Sequence, residues 1–201
     1  MSTPFIPVAK TIKVCILGDI AVGKSSIIKR ITKGKFEPYE VPTIGASYAS
    51  KDYIINNEKI RFSIWDTAGM ERYRSLIPMY VRDTQIIFLV IDGCNSSSFD
   101  SLSDWVKFIN YENSEGKKIL LINKSDKELL LSEDEIKNIS LNYKFDKIIK
   151  CSALTNEGLN DILEESFSIL DNLDIESQKF LAIDSNLEKS NSYLLNCCKP
   201  S

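Results

Sequence analysis

The chain of 201 residues contains no histidine. That excludes serine–histidine and cysteine–histidine nucleophilic mechanisms and every metal site built on imidazole. Nor is there a basic surplus: 25 Lys and Arg stand against 28 Asp and Glu, a net charge of -3. Such a balance argues neither for nucleic acid nor for simple adhesion to an acidic membrane, so no nucleic-acid partner is expected. No apolar run approaches the ~20 residues of a membrane-spanning helix. The opening MSTPFIPVAK has no long apolar core, so no secretion signal is expected. Ser2 follows the first methionine, which excludes N-myristoylation. A disulfide framework is not expected either. Cys15, Cys94 and Cys151 lie in or beside apolar runs and read as free, buried thiols of a cytosolic protein. Cys197 and Cys198 stand apart from them, near the end of the chain.

What is present is ordinary globular composition. Apolar residues make up 43% and charged residues 26%, enough chain for one domain with a full core and tails. Short apolar runs at 13–18, 85–92, 117–123 and 147–153 read as buried strands. Residues 46–55 and 59–66 alternate more and are joined by Asn56, Asn57 and Glu58, a hairpin signal. Residues 24–33, 98–112, 132–143 and 158–173 read as helices, and Ser132 with Glu135 forms a capping box ahead of the third. Strands alternating with helices, plus one hairpin, predict an α/β fold. Its sheet should be mostly parallel, with about six strands, one antiparallel edge strand and helices on both faces. From about residue 176 the period is lost, and 176–201 reads as a flexible tail.

Five stretches carry chemistry. Gly18-Asp-Ile-Ala-Val-Gly-Lys-Ser25 follows the first strand and opens the first helix. This is the spacing of a loop whose backbone amides cradle phosphate at a helix N-terminus. Lys24 would reach the outer phosphates, and the Ser25 hydroxyl would ligate Mg²⁺. Asn123-Lys124-Ser125-Asp126 again follows a buried strand. Its carboxylate suits guanine, which offers two N–H donors, and repels adenine, whose matching ring nitrogen is an acceptor. Ser152, Ala153 and Leu154 end the next strand, where small residues let backbone amides approach the guanine carbonyl. Asp66 in Asp66-Thr-Ala-Gly69 is a candidate Mg²⁺ ligand, and Gly69 a γ-phosphate contact. Thr43 would complete the Mg²⁺ shell, and Phe36 would lie against the base.

Together these residues resemble the Ras superfamily of small GTPases, over about residues 11–175, with a P-loop NTPase-type G domain as the implied fold. Within it, TIGASY (43–48) and WDTAGMERYRSLIPMYVRDT (65–84) resemble the two switch signatures of the Rab family. The resemblance implies GTP or GDP with Mg²⁺ as the bound group. Asp19, Ala21, Val22, Gly23, Lys24, Ser25 and Ser26 would surround the phosphates, and Asn123, Lys124, Asp126 and 152–154 the base. Ile44, Tyr48, Trp65 and Tyr80 fall where Rabs meet effectors. The implied partners are effectors, an exchange factor, an activating protein, a GDP-dissociation inhibitor and a prenylation escort. The implied state is a monomer on the cytoplasmic face of an endosomal or Golgi membrane, with a cytosolic pool.

The tail ends Asn196-Cys197-Cys198-Lys199-Pro200-Ser201. Lys199 and Pro200 spoil a CaaX motif, and the cysteine pair resembles Rab double prenylation better. One lipid alone binds membranes marginally, and Lys179, Lys189 and Lys199 make no polybasic second signal, so two lipids are the physical expectation.

Two positions depart from the family pattern. Met70 stands where small GTPases carry the glutamine that orients attacking water, and a thioether has no N–H to do so. Ile20 puts a stiff β-branched side chain where the loop is usually glycine, small or polar. The expectation is a Rab-like trafficking switch with slow GTP hydrolysis. Family activating proteins bring their own glutamine, so stimulated hydrolysis can survive. The alternatives are a GTP-locked binding module that recruits effectors, and a P-loop kinase or ATPase, which the guanine-type loop disfavours.

Overall fold

In the computed structural model, residues 8–69, 75–160 and 162–170 are described. The strands are β1 (Val8–Leu17), β2 (Ala46–Ile55), β3 (Glu58–Thr67), β4 (Ile86–Asp92), β5 (Lys117–Asn123) and β6 (Lys147–Lys150). Between them lie α1 (Lys24–Lys33), α2 (Ile77–Val81), α3 (Ser96–Asp100), α4 (Leu102–Glu112) and α5 (Glu133–Tyr143). A further helix, α6, covers 162–170. The chain divides into two units at 166/167, and 167–170 are the described part of the second.

The six strands form one sheet in the order β2-β3-β1-β4-β5-β6. All neighbours are parallel except β2 and β3, so the antiparallel strand is at the edge. The inner strands carry continuous apolar runs because both their faces are covered: every residue of β4 is buried. On one face Cys15, Leu17, Ile87, Leu89, Leu120 and Ile122 pack with Ile77 and Val81 of α2 and Trp105, Val106 and Ile109 of α4. The opposite parity, Val14, Ile16, Phe88, Val90 and Leu121, is buried on the other face. There α1 lies near β2 and β3 and buries Ile27, Ile28 and Ile31.

Local differences from the sequence reading have physical causes. β1 begins at Val8 rather than Lys13, because the long β3 offers it ladder partners from Lys59 onward, past an irregularity between Val8 and Lys10. The hairpin turn is only Asn56 and Asn57, at φ 52° and 64°, and Glu58 already belongs to β3. Both turn residues in the left-handed region match the twist of the flanking strands. The helix expected over 98–112 is broken at Ser101, whose hydroxyl turns to the carboxylate of Asp19 and to the Ser98 carbonyl. β6 stops at Lys150, so Cys151–Ala153 is loop. The Ser132–Glu135 capping box forms as expected.

The chain leaves β1 toward β3 and β2 on one side and later fills β4, β5 and β6 on the other. The order therefore reverses at β1, and ligands of such sheets bind beyond the carboxyl ends of the strands at that reversal.

Candidate functional site

The loop Gly18–Gly23 sits at this reversal. Gly18 has φ 136°, and a Cβ there would fall 2.2 Å from the Val90 carbonyl oxygen. Gly23, at φ 99°, caps α1, and no acidic residue occupies the first turn of that helix. First-turn amides lack intrahelical acceptors, and here no first-turn carboxylate competes for the space before them. Lys24 is 5% exposed, and its Nζ donates to the Gly18 and Asp19 carbonyls at 2.9 and 2.6 Å. Burial pulls its pKa down to about 8, against the opposing pull of Asp66 and Asp19. A buried ammonium satisfied only by loop carbonyls is poised for a stronger anionic partner. A Cβ on Gly69 would lie 2.6 Å from the Asp19 carbonyl oxygen, a backbone atom, so the close approach of these two segments requires glycine.

The Ser25 and Thr43 hydroxyls are 2.9 Å apart, although 18 residues separate them. Asp66 is 4% exposed, and its Oδ1 is buried without a hydrogen-bond partner. Burial raises its pKa, with the Ser25 hydroxyl and Lys24 pulling the other way. Two hydroxyls and an orphaned carboxylate oxygen form the all-oxygen set that a hard divalent cation takes, so these residues fit Mg²⁺. Together with Ile20, Lys24, Phe36, Glu40 and Gly69, Ser25 and Thr43 line a cavity of about 380 Å³.

A neighbouring cavity of about 340 Å³ shares Ala21, Gly23, Ser26 and Phe36 with the first and adds Asn123, Lys124, Asp126, Ala153 and Leu154. Asn123 is a strut. Its Nδ2 donates to the Val22 carbonyl at 2.8 Å, and its Oδ1 accepts from the Ala153 amide at 3.1 Å. Lys124 Nζ pairs with Asp92 at 2.6 Å and reaches the Ala21 carbonyl at 3.2 Å. Ser152 Oγ donates to Asp126 Oδ1 at 2.5 Å, holding an otherwise exposed carboxylate in place. Phosphate loop, base loop and the Ser152–Leu154 turn are therefore one hydrogen-bonded frame.

Three side chains that the sequence reading missed complete it. Arg30 donates from Nε to the Ala153 carbonyl and from Nη2 to the Leu154 carbonyl, at 2.9 and 2.7 Å, and its guanidinium lies 6.0 Å from the Phe36 ring centre. Trp105 Nε1 donates to Asp19 Oδ1 at 2.8 Å, tying the phosphate loop to α4. Glu40 lines the phosphate cavity. No spacing rule marks these, because each partner lies on a different element.

Trp65 joins Tyr48 and Tyr80, each at 5.3 Å between ring centres. Ile44 is 77% exposed. Met70, Cys197 and Cys198 lie outside the described residues.

Comparisons agree with this geometry. The Ras family model matches residues 13–171. Ras-related protein Rab-22A of Homo sapiens is 47% identical over 98 residues, 49% of this chain and 50% of that protein, so the chain matches about half the length of that relative. Ras-related protein Rab5A of Oryza sativa subsp. japonica is 36% identical over 157 residues, 76% of each chain. Ras-related protein SEC4 of Saccharomyces cerevisiae is 31% identical over 198 residues, 92% of this chain and 90% of the other. On the matched family and these relatives, the chain belongs to the Rab family of the Ras superfamily of small GTPases.

Proposed function

We propose that this chain is a GTP/GDP-controlled membrane-trafficking switch whose own GTP hydrolysis is slow. One observation carries the nucleotide reading. Lys24, the Ser25–Thr43 hydroxyl pair and residues of the Asn123–Asp126 and Ser152–Leu154 loops line two cavities with shared walls, beside the orphaned Asp66.

Lys24 and the loop amides would hold the outer phosphates, with Asp19, Ala21, Val22, Gly23 and Ser26 shaping the cradle. Ser25, Thr43 and Asp66 would hold Mg²⁺, which supplies neutralisation of charge on the phosphates. Asp126, pre-positioned by Ser152, would accept from the guanine N–H groups, with Phe36 against the base and Lys124, Ala153 and Leu154 around it. Thr43 and Gly69 belong to the two segments that respond to the γ-phosphate, and loss of it would release both. Ile44, Tyr48, Trp65 and Tyr80 would then present or withdraw an effector surface. The G domain would span 11–175, after an extension over 1–10. The tail over 176–201 would carry prenyl groups on Cys197 and Cys198 and hold the switch on the cytoplasmic face of an endosomal or Golgi membrane. Effectors, exchange factor, activating protein, GDP-dissociation inhibitor and prenylation escort are the proposed partners of a monomer.

Slow hydrolysis rests on Met70, which lacks a water-orienting amide, and on Ile20. Ile20 lines the phosphate cavity and is 53% exposed, so its bulk stands where a water or an incoming arginine must pass. The same position favours a second reading, a GTP-locked module that recruits effectors without useful hydrolysis.

Single-turnover hydrolysis of preloaded GTP with Mg²⁺, with and without a broad-specificity Rab activating domain, tests both. The expected result is slow hydrolysis in wild type, restored by Met70→Gln with Ile20→Ser. Ordinary Rab hydrolysis in wild type would overturn the slow reading. Failure of the activating domain would select the locked module.

A further inference from the structure

Among the described residues, two buried side-chain oxygens have no hydrogen-bond partner: Asp66 Oδ1 and Glu40 Oε1. The first belongs to the Mg²⁺ site proposed above. The second has no such role. Glu40 lies between Phe36 and Thr43, and it lines the same cavity as Lys24 and Gly69. Its other oxygen, Oε2, is 2.6 Å from Lys29 Nζ of α1, and the same ammonium is 2.5 Å from Glu37 Oε2. The Lys29 charge is thus divided between two carboxylates, one of them 57% exposed and one only 20% exposed. Hydrogen bonds to Glu37 and Glu40 raise the Lys29 pKa, so the ammonium is charged whenever the cluster is formed. Glu40 also acts through space on Asp66, which places its charge within electrostatic reach of the cation site.

An anion-binding cavity is expected to offer donors. Here one wall is the side chain of an acid, Glu40, whose Oε1 is buried and carries no hydrogen bond. A terminal phosphate in this cavity adds a like charge within electrostatic reach of that carboxylate, and a nucleotide that ends one phosphate earlier adds less. We infer that Glu40 is a specificity-determining residue that weakens triphosphate binding relative to diphosphate, with Lys29 as the latch that sets how strongly. While Lys29 holds Oε2, part of the charge is neutralised and the carboxylate is drawn toward α1. When Lys29 is lost, the carboxylate keeps its full charge within reach of the cavity. In a chain that hydrolyses slowly, such a residue shortens the triphosphate state through binding rather than through chemistry.

The inference rests on the nucleotide-binding reading above, and one experiment separates their failures. Dissociation constants are measured for a fluorescent GDP and a fluorescent non-hydrolysable GTP analogue, with Mg²⁺, for the full chain. Glu40→Gln keeps the shape and removes the charge. It should tighten the triphosphate analogue about tenfold, corresponding to ~1.4 kcal/mol, while GDP affinity holds. Lys29→Met should weaken the analogue relative to GDP by a similar factor. In the Glu40→Gln background, Lys29→Met should leave the ratio unchanged. An unchanged ratio in Glu40→Gln, with both nucleotides still bound, overturns the inference and leaves the switch reading intact. So does an equal loss of both nucleotides in Lys29→Met, which marks the cluster as a structural clasp. Failure of wild type to bind either nucleotide removes the switch reading and the inference together. Melting curves of each variant confirm that the fold is retained.

Discussion

At the scale of single residues, burial decides chemistry. Cys15 and Cys151 are fully buried, and desolvation pushes both thiols up to about 12. Native chain should therefore leave these two unlabelled by a thiol reagent at pH 8, and guanidinium should release both. The linkage has a definite sign. The folded pKa lies above the unfolded value near 9, so this contribution is complete below pH 9 and is lost as pH rises toward about 12. Alkaline melts should show stability falling in that window, and Cys15→Ala should flatten the fall. Gly23 gives a second prediction. A Cβ there would lie 2.3 Å from Asn123 Nδ2, on a backbone at φ 99°. Gly23→Ala should cost about 1–2 kcal/mol for handedness alone. It should also speed nucleotide release by pushing away the strut between the two loops, which stopped-flow displacement would record.

At the scale of elements, the break at Ser101 matters more than a continuous helix would. It lets Ser101 and Trp105 both donate to Asp19, so α4 holds the phosphate loop from behind. Trp105→Phe removes one donor and leaves a carboxylate oxygen of Asp19 short of a partner. A loss of about 1–3 kcal/mol in denaturant melts is expected, with faster nucleotide release. The β2–β3 hairpin offers a control remote from the site. Asn57 sits at φ 64°, so Asn57→Val should destabilise by roughly 1–2 kcal/mol, whereas Asn57→Gly should not. Neither should change the ratio of GTP to GDP affinity.

At the scale of the whole molecule, the proposed site is a seam that ligand would complete. Groups of opposite charge would satisfy the unpartnered Asp66 Oδ1 and the buried Lys24 ammonium, so on the proposed reading binding and stability are coupled. GDP with Mg²⁺ at about 100 times Kd should add ~2.7 kcal/mol to the unfolding free energy. Chelation with EDTA should remove part of that increment, and in Asp66→Asn the EDTA-sensitive part should shrink, as seen by melting temperature against chelator.

Much of this was readable along the chain, and the reason is locality. A phosphate loop is eight contiguous residues between a strand and a helix, so its glycines, Lys24 and Ser25 announce themselves. The β4 and β5 cores, 86–91 and 119–122, are unbroken apolar runs because both faces of an inner parallel strand are buried. The Ser132–Glu135 box spans one helical turn. The departures at Ile20 and Met70 are equally plain, since they are departures from a local pattern. Other facts depend on which distant atoms come to share a space. Asn123 meets Val22 across 101 positions, Trp105 meets Asp19 across 86, and Arg30 meets Ala153 across 123. The unpartnered oxygens of Asp66 and Glu40 belong to the same class. A missing hydrogen bond is a property of what packing excludes, and desolvation of a carboxylate is set by neighbours from several elements at once. No spacing along one element encodes that, so it took the folded sheet to reveal it.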